Sequence, residues 1–265
     1  MTVKALSIAG FDPSGGAGVL ADIKTFASMG VYGVSVVTAL TAQNTTSVRD
    51  VFSIPSDFVT EQLNTIFDDI KINSAKTGML YEAEVVLAVA KALSARPEIK
   101  TVVDPVMSAS SGETLLKQGA AKLLVMELFP IAHLVTPNAV EASILTGVTI
   151  ADLASMKEAA KKIAGLGPQN VLVKGGHMEG DDVTDVLYAD GEFFKFRKKR
   201  INTPHTHGTG CALSAAITAA LALGADIVTA VETAEKFMEK ALQGAFPVGS
   251  GPGSVDHMAW MRGGG

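Results

Sequence analysis

The sequence PHTHGTGC at residues 204–211 leads directly into residues 212–223, a run of small and apolar side chains that predicts a buried helix. A glycine-rich turn at the start of a helix directs backbone N–H groups outward at the positive end of the helix dipole, and such turns bind anions. We therefore expect Gly208, Thr209 and Gly210 to hold a phosphate group or a developing oxyanion.

Cys211 follows this turn and is the single cysteine of the 265-residue chain. The positive field of the helix start is expected to lower the pKa of its thiol and so to make it reactive. A second interpretation stays open, in which the turn only caps the helix and Cys211 is a buried structural residue. One cysteine excludes an internal disulfide and a cysteine-based zinc cluster, and a free thiol is typical of a reducing cytosol.

The composition predicts one globular domain over residues 1–265, since hydrophobic residues make up 48% of the chain. The net charge is −5, and the basic run RKKR at residues 197–200 lacks the context of a nucleic-acid motif. We interpret that run as a solvated strand end and expect no nucleic-acid partner. No apolar run reaches the roughly 20 residues that a membrane span requires, and the N-terminus lacks a signal-peptide pattern. We therefore expect a cytoplasmic protein with no membrane partner.

Apolar, strand-like runs alternate with helix-like segments along most of the chain. This alternation predicts an α/β fold with a mainly parallel central sheet and helices on both faces. The last two strands are expected to form a hairpin across Asp190-Gly191. The predicted strands are 3–9, 32–40, 48–54, 70–75, 100–103, 133–136, 170–173, 185–188 and 192–196, and the predicted helices are 19–29, 57–69, 83–93, 115–124, 156–166, 212–223 and 227–242.

Residues 31–54 break the alternation, because two extended segments follow each other without a helix between them. We interpret them as a flap, a small β-sheet that covers a site. The glycine-rich loop GFDPSGGAG at residues 10–18 follows the first strand, but its spacing matches neither the dinucleotide-binding motif nor the P-loop. This loop either holds a small substrate or is a plain turn into the next helix.

Polar residues follow several predicted strands, at the edge where open α/β sheets place functional groups. Asp104 and Lys174 each come directly after a strand. Asn138 and Glu141 are three residues apart, so they share a face in the first turn of a helix. Their oxygens suit Mg²⁺ beside phosphates, often through water, although the same spacing also predicts a capping box. His207 has no third ligand at metal-site spacing, and we place it at the rim of a site.

Six motifs occur in order within residues 6–257. They are AGFDPSGGAG (9–18), TALTAQNT (38–45), DPVM (104–107), TPNAVE (136–141), VKGGH (173–177) and HGTGC (207–211). Together they resemble the ribokinase-like superfamily and, within it, the hydroxymethylpyrimidine/phosphomethylpyrimidine kinases of thiamine biosynthesis. The chain departs from that family at His205 and Ala212, where Asn and Thr are common.

The resemblance implies a ribokinase-like three-layer α/β/α sandwich and a homodimer. It implies transfer of the γ-phosphate of MgATP to the hydroxymethyl group of a pyrimidine, and then to the resulting monophosphate. Cys211 would be catalytic beside the anion hole of Gly208, Thr209 and Gly210, either as the base that takes the substrate hydroxyl proton or as a nucleophile. The other implied residues are Gly10, Asp22, Gln43 and Met79 for the pyrimidine, Lys174, Asp104 and His207 for ATP, and Asn138 and Glu141 for Mg²⁺, directly or through water.

Two other functions stay open at this point. A pyridoxal kinase of the cysteine-bearing type would also phosphorylate a flat ring with a hydroxymethyl group, and Gln43 could serve either ring. A non-catalytic ligand-sensing domain of the same fold is the second alternative. The intact glycine-rich turn, with Lys174 and the Asn138/Glu141 pair, favours an enzyme.

Overall fold

One mixed β-sheet runs through the part of the chain described here, which is residues 2–107, 115–117, 119–176, 178 and 180–263 of a computed structural model. Its strands are β1 Lys4–Phe11, β2 Tyr32–Gln43, β3 Val48–Ser53, β4 Ser74–Thr77, β5 Lys100–Val103, β6 Leu134–Val135, β7 Asn170–Val173, β8 Asp182–Ala189 and β9 Glu192–Lys199. Their order in the sheet is β3-β2-β1-β4-β5-β6-β7-β8-β9. Strands β2, β1 and β4 to β7 are parallel, and β3, β8 and β9 pair antiparallel at the two ends.

Helices pack on both faces of this sheet. They are α1 Gly18–Ser28, α2 Ser56–Asp69, α3 Ala83–Ser94, α4 Ala120–Leu123, α5 Ala139–Thr146, α6 Leu153–Ala164, α7 Thr209–Ala222, α8 Ile227–Gln243 and α9 Ala259–Arg262. Phe26 of α1, Ile217 of α7 and Phe237 of α8 belong to one buried core. Leu63 of α2 and Val86 of α3 belong to a second core. The predicted three-layer α/β/α sandwich is confirmed.

Helix α7 is the helix predicted after the glycine-rich turn, and it is buried as expected. All its residues from Ala212 to Ala222 are buried, and it contacts β1, β4, β5, α1 and α8. Its side chains are mostly small, so the sheet can approach its backbone closely. The Ser74 hydroxyl of β4, for example, donates a hydrogen bond of 2.8 Å to the Thr218 carbonyl oxygen.

Most predicted elements are confirmed, but the strand predicted at 70–75 is wrong in its bounds, because β4 covers Ser74–Thr77. The hairpin turn has Asp190 at φ +50° and Gly191 at φ +82°, as a two-residue type I′ turn requires. The prediction of a helix from residue 115 was wrong at its start. Leu116 instead forms a β-bridge with Tyr81, and helix α4 begins only after Gly119. The sequence SASSG at residues 108–112 also predicts a polar loop, and these residues lie outside the described part of the chain.

The two flap strands are part of the main sheet rather than a separate small one. The first half of β2 pairs parallel with β1, from Tyr32 opposite Lys4. Its second half pairs antiparallel with β3, from Ala39 opposite Ser53. The flap is therefore an extension of the sheet edge. Across the described residues, every helix is too short or too polar to cross a lipid bilayer.

Replacing Ile217 with Ala should lower the free energy of unfolding by about 2–5 kcal/mol, because its side chain is fully buried in the α7 core. Urea or thermal unfolding measures the change. Leu223→Ala, just beyond α7, is the matched control, because Leu223 is 53% exposed and should change stability by no more than about 0.5 kcal/mol. Equal losses in the two variants would contradict the packing of α7.

Candidate active site

A cleft of about 570 Å³ lies at the carboxyl ends of the parallel strands. One end, here called the β2 end, is lined by Gly10, Phe11, Thr41, Gln43, Met79, Val106 and Leu115. The other, here called the β9 end, is lined by Gly176, Val183, Asp185, residues 198–201, Leu213, Met238, Glu239 and Leu242. Between them lie Asp104, Asn138, Glu141, Lys174 and residues 207–211. Nearly all predicted site residues therefore share one cleft.

Residues 208–211, here called the anion turn, form the start of α7 in the middle of the cleft. Gly208 has φ +81°, and a Cβ atom there would lie 1.7 Å from the Gly16 carbonyl oxygen, so only glycine fits. Helix α7 begins at Thr209 without a side-chain cap. A helix start that opens on a cleft is a suitable anion site. The binding of phosphate by this turn stays a prediction.

Cys211 lies in the cleft wall, but the expectation of a lowered thiol pKa was wrong. Burial raises the pKa of Cys211. The ammonium of Lys76 and a hydrogen bond from the backbone of Gly18 oppose burial, whereas the carboxylates of Asp22 and Asp104 reinforce it. The net effect is a pKa above that of an ordinary thiol, so the protonated form dominates at neutral pH.

Asp22 does not line the cleft, in contrast to its predicted contact with the substrate. Its side chain is fully buried, where it accepts hydrogen bonds from Lys76 Nζ and from Ser7 Oγ, each at 2.6 Å. Burial alone would lower the pKa of Lys76, but the nearby carboxylates and the Cys211 sulfur raise it overall. Asp22 and Lys76 thus form a buried ion pair behind the anion turn, and sequence reasoning missed Lys76.

Lys174 and Asp104 form a second ion pair, at 3.0 Å, as their shared position at the strand ends suggested. Asp104 also accepts hydrogen bonds from Thr136 Oγ1 at 3.3 Å and Ser214 Oγ at 3.0 Å. A Cβ atom at Gly210 would lie 3.4 Å from Lys174 Nζ. The Lys174 ammonium therefore lies against the anion turn. Burial lowers its pKa, but Asp104 and Glu141 more than offset this effect and keep it charged.

Asn138 and Glu141 form the capping box of α5. The Asn138 side chain accepts from the Glu141 N–H at 2.9 Å, and Glu141 Oε2 accepts from the Asn138 N–H at 2.8 Å. The capping interpretation is therefore confirmed, and it engages the one side-chain oxygen of Asn138 and the Oε2 of Glu141. Within the described segments, no group of three or more His, Cys, Asp or Glu is arranged as a metal site. A role beside Mg²⁺ stays a prediction.

The remaining predicted residues lie around the β2 end. Met79 packs on Gly10, where a Cβ atom would lie 3.0 Å from its sulfur. Gln43 is close to Thr41, with 3.2 Å between the two side-chain oxygens. His207, predicted to contact ATP, has its Nε2 atom 2.8 Å from Asp12 Oδ2 in the first glycine-rich loop. Its ring therefore faces the β2 end rather than the β9 end.

The β9 end was missed by sequence reasoning. The run RKKR at 197–200 was interpreted as a solvated strand end, yet Lys198, Lys199 and Arg200 line the cleft. Lys198 pairs with Asp185 at 3.5 Å and also with Glu235. Arg197 and Lys199 still fit the original interpretation, because their side chains are 73% and 82% exposed, whereas Lys198 is only 23% exposed. The available signal was the amphipathic alternation of β9, which turns every second side chain of the run toward the protein.

The phosphomethylpyrimidine kinase family model matches residues 12–256. The chain belongs to this family. It is 44% identical over 261 residues to the hydroxymethylpyrimidine/phosphomethylpyrimidine kinase of Haemophilus influenzae, covering 97% of both chains. It is 45% identical over 253 residues to the thiamine biosynthesis bifunctional protein ThiED of Geobacter sulfurreducens, of which it spans only about half, 52%. The crystal structure of Bacillus subtilis pyridoxal kinase with ADP is 38% identical, with a TM-score of 0.91 and 98% coverage of both chains.

Alkylation of Cys211 by iodoacetamide should have a higher pH midpoint in the folded protein than in the unfolded chain, because only the thiolate reacts and folding raises the pKa. For the chain unfolded in urea, the midpoint should lie at about pH 8.5, the value of a free thiol. Cys211 is the only cysteine, so mass spectrometry reports its rate directly. A folded-state midpoint below the unfolded one would contradict the raised pKa.

Proposed function

We propose that this protein uses MgATP to phosphorylate the hydroxymethyl group of 4-amino-5-hydroxymethyl-2-methylpyrimidine and then the resulting monophosphate, for thiamine biosynthesis. The observation that carries the proposal is the anion turn between two chemically different cleft ends, with the Lys174 ammonium against it. Membership of the phosphomethylpyrimidine kinase family supports it. So do the names of the full-length relatives.

The β2 end is proposed to hold the pyrimidine. Gln43 presents an amide that can both donate to and accept from an aminopyrimidine edge. Met79 offers a polarisable apolar surface for the ring, and Gly10 lets it approach the backbone. The β9 end is proposed to hold the nucleotide, beside Lys199 and Arg200, whereas the charge of Lys198 is already balanced by Asp185 and Glu235. The anion turn then lies between donor and acceptor, as in-line phosphoryl transfer requires.

Charge neutralisation and positioning are proposed as the main contributions to catalysis. The N–H groups of the anion turn and the Lys174 ammonium face the place where negative charge develops. Cys211 is proposed to accept the hydroxyl proton. Because its pKa is raised, the thiolate is a minor form. Forming it costs about 1.4 kcal/mol for each unit by which the pKa exceeds the pH. A loose transition state tolerates this cost, because the hydroxyl needs little activation before transfer.

Mg²⁺ fits the donors near the anion turn. The ion binds proteins through one or two carboxylates and keeps several waters. Glu141 is a buried carboxylate that accepts hydrogen bonds from the Asn138 N–H in the capping box and from the Met107 backbone, and Asp104 is close enough for its charge to affect the pKa of Glu141. We propose that Glu141 and Asn138 hold Mg²⁺ through water, and that the bound ion neutralises phosphate charge.

A coupled assay that measures ADP release tests the proposal. Release should be fast with the hydroxymethylpyrimidine and with its monophosphate, and slow with pyridoxal. Pyridoxal kinase is the specific alternative, because the chain superposes so closely on the Bacillus subtilis enzyme of that name. Turnover of pyridoxal alone would overturn the proposed substrate in favour of that alternative. Calorimetric binding of these compounds without any turnover would support a ligand-sensing domain.

Cys211→Ala should bind ATP as the wild type does but lose at least about 100-fold in kcat, the lower range for general-base catalysis. The wild-type kcat should also rise with pH toward the thiol pKa, since the thiolate is the active form. Cys211→Ser is the matched control for size and should stay slow across that pH range. Turnover of Cys211→Ala at the wild-type rate would remove Cys211 from the mechanism, and a phosphorylated Cys211 detected by mass spectrometry would make it a nucleophile.

The homodimer implied by the family resemblance and the cytoplasmic location expected from the sequence stay predictions. Two large apolar side chains on the sheet edge, Leu40 of β2 and Phe52 of β3, are 43% and 65% exposed. They are the surface at which we propose that the partner subunit packs.

A further inference from the structure

Asp12 organises the first glycine-rich loop from within. Its Oδ1 accepts from the Ser14 N–H at 2.8 Å, and its Oδ2 accepts from Ser14 Oγ at 2.9 Å and from the Ala17 N–H at 3.0 Å. Asp12 is only 4% exposed. Burial would raise its pKa, but hydrogen bonds from His207 and Ser14 lower it overall. Asp12 is therefore a buried carboxylate that holds the loop in one conformation just before α1.

His207, the residue just before the anion turn, contacts this carboxylate. Its Nε2 lies 2.8 Å from Asp12 Oδ2. The ring also packs on Gly16, where a Cβ atom would lie 2.4 Å from the His207 Cδ2 atom. The backbone N–H of His207 donates to the Gly253 carbonyl oxygen at 3.1 Å. Both the ring and the backbone of His207 are thus fixed, and the anion turn follows at the next residue.

The same two loops touch through their backbones. The Gly208 backbone approaches the Gly16 carbonyl so closely that a side chain would not fit. Gly16 belongs to the loop that leads into α1, and Gly208 to the turn that leads into α7. A shift of one loop would therefore move the other, and the Asp12–His207 pair is the polar link between them.

We propose that Asp12 and His207 form a clasp that positions the anion turn against the first glycine-rich loop. His207 is then a positioning residue and not the ATP contact that the family resemblance implied. This inference rests on the proposed function, because it assigns the clasp to the alignment of the two reacting groups. Misplacement by about 1 Å can cost about 100-fold in rate, so loss of the clasp should act on kcat rather than on nucleotide affinity.

A double-mutant cycle tests the clasp, with His207→Leu, Asp12→Asn and the double variant. We expect each single variant to lose about 10–100-fold in kcat and the double variant to be no slower than the slower single variant. The Kd for ADP, measured by calorimetry, should stay within about twofold. His207→Gln, whose amide can donate to Asp12, should recover most of kcat. His133→Leu is the control. His133 lies at the amino end of β6, away from the cleft, so this variant should leave kcat unchanged.

Two results would overturn the clasp. The first is a weaker ADP affinity in His207→Leu but not in Asp12→Asn, with losses that multiply in the double variant, because His207 would then be a nucleotide contact. The second is an unchanged kcat in both single variants. Rates are divided by the active sites counted in the calorimetric titration, so a poorly folded variant cannot imitate a positioning defect.

Hydrogen exchange of the backbone amides of residues 208–211 separates the clasp from the proposed function. Without any ligand, these amides should exchange faster in the clasp variants than in the wild type, and at the wild-type rate in His133→Leu. This measurement needs no substrate, so it stands even if no pyrimidine is phosphorylated, a result that would overturn the proposed function only. Equal protection in all variants would overturn the clasp.

Discussion

The buried ion pair between Lys76 and Asp22 is the constraint on which the site depends. Both side chains are fully excluded from solvent. Removal of one partner from such a pair costs about 3–5 kcal/mol, because it leaves an uncompensated buried charge. The pair links β4 to α1, and the Ser7 hydroxyl of β1 also donates a hydrogen bond to Asp22. Three elements that meet behind the anion turn are thereby locked in register, before any ligand is considered.

The second pair, Lys174 and Asp104, differs from the first in what it faces. Lys76 points at a carboxylate in the protein interior, whereas the Lys174 side chain lines the cleft and is 12% exposed. Asp104 is anchored by the hydroxyl groups of Thr136 and Ser214. A phosphoryl group bound at the anion turn would therefore meet a lysine that is already oriented. Preorganised charge of this kind stabilises a transition state without further reorganisation.

Features set by local patterns were predictable from the sequence, and features set by distant contacts were not. The bounds of β5 and β7 and the Asp190-Gly191 turn follow from apolar runs and turn chemistry. The predicted strand 70–75 stops before Lys76, although Lys76 lies within β4, and a lysine within a buried strand is exceptional unless a partner is buried with it. That partner is Asp22, 54 residues earlier in the chain. The position of Lys198 likewise depends on Glu235 of α8, which the sequence alone does not bring near it.

The pKa of Cys211 shows how a correct local argument is outweighed. A helix N-terminus stabilises a negative charge by about 0.3–1 kcal/mol, and rarely by as much as about 2 kcal/mol. Burial can shift a pKa by more than this, and at Cys211 burial and the carboxylates of Asp22 and Asp104 together outweigh the opposing ammonium of Lys76. The helix dipole favours a lower pKa for Cys211, but the sum of all contributions raises that pKa. A phosphate dianion in the turn would disfavour the thiolate further. In the proposed mechanism Cys211 therefore accepts its proton only as charge leaves the transferring group, and positioning and charge neutralisation supply most of the rate.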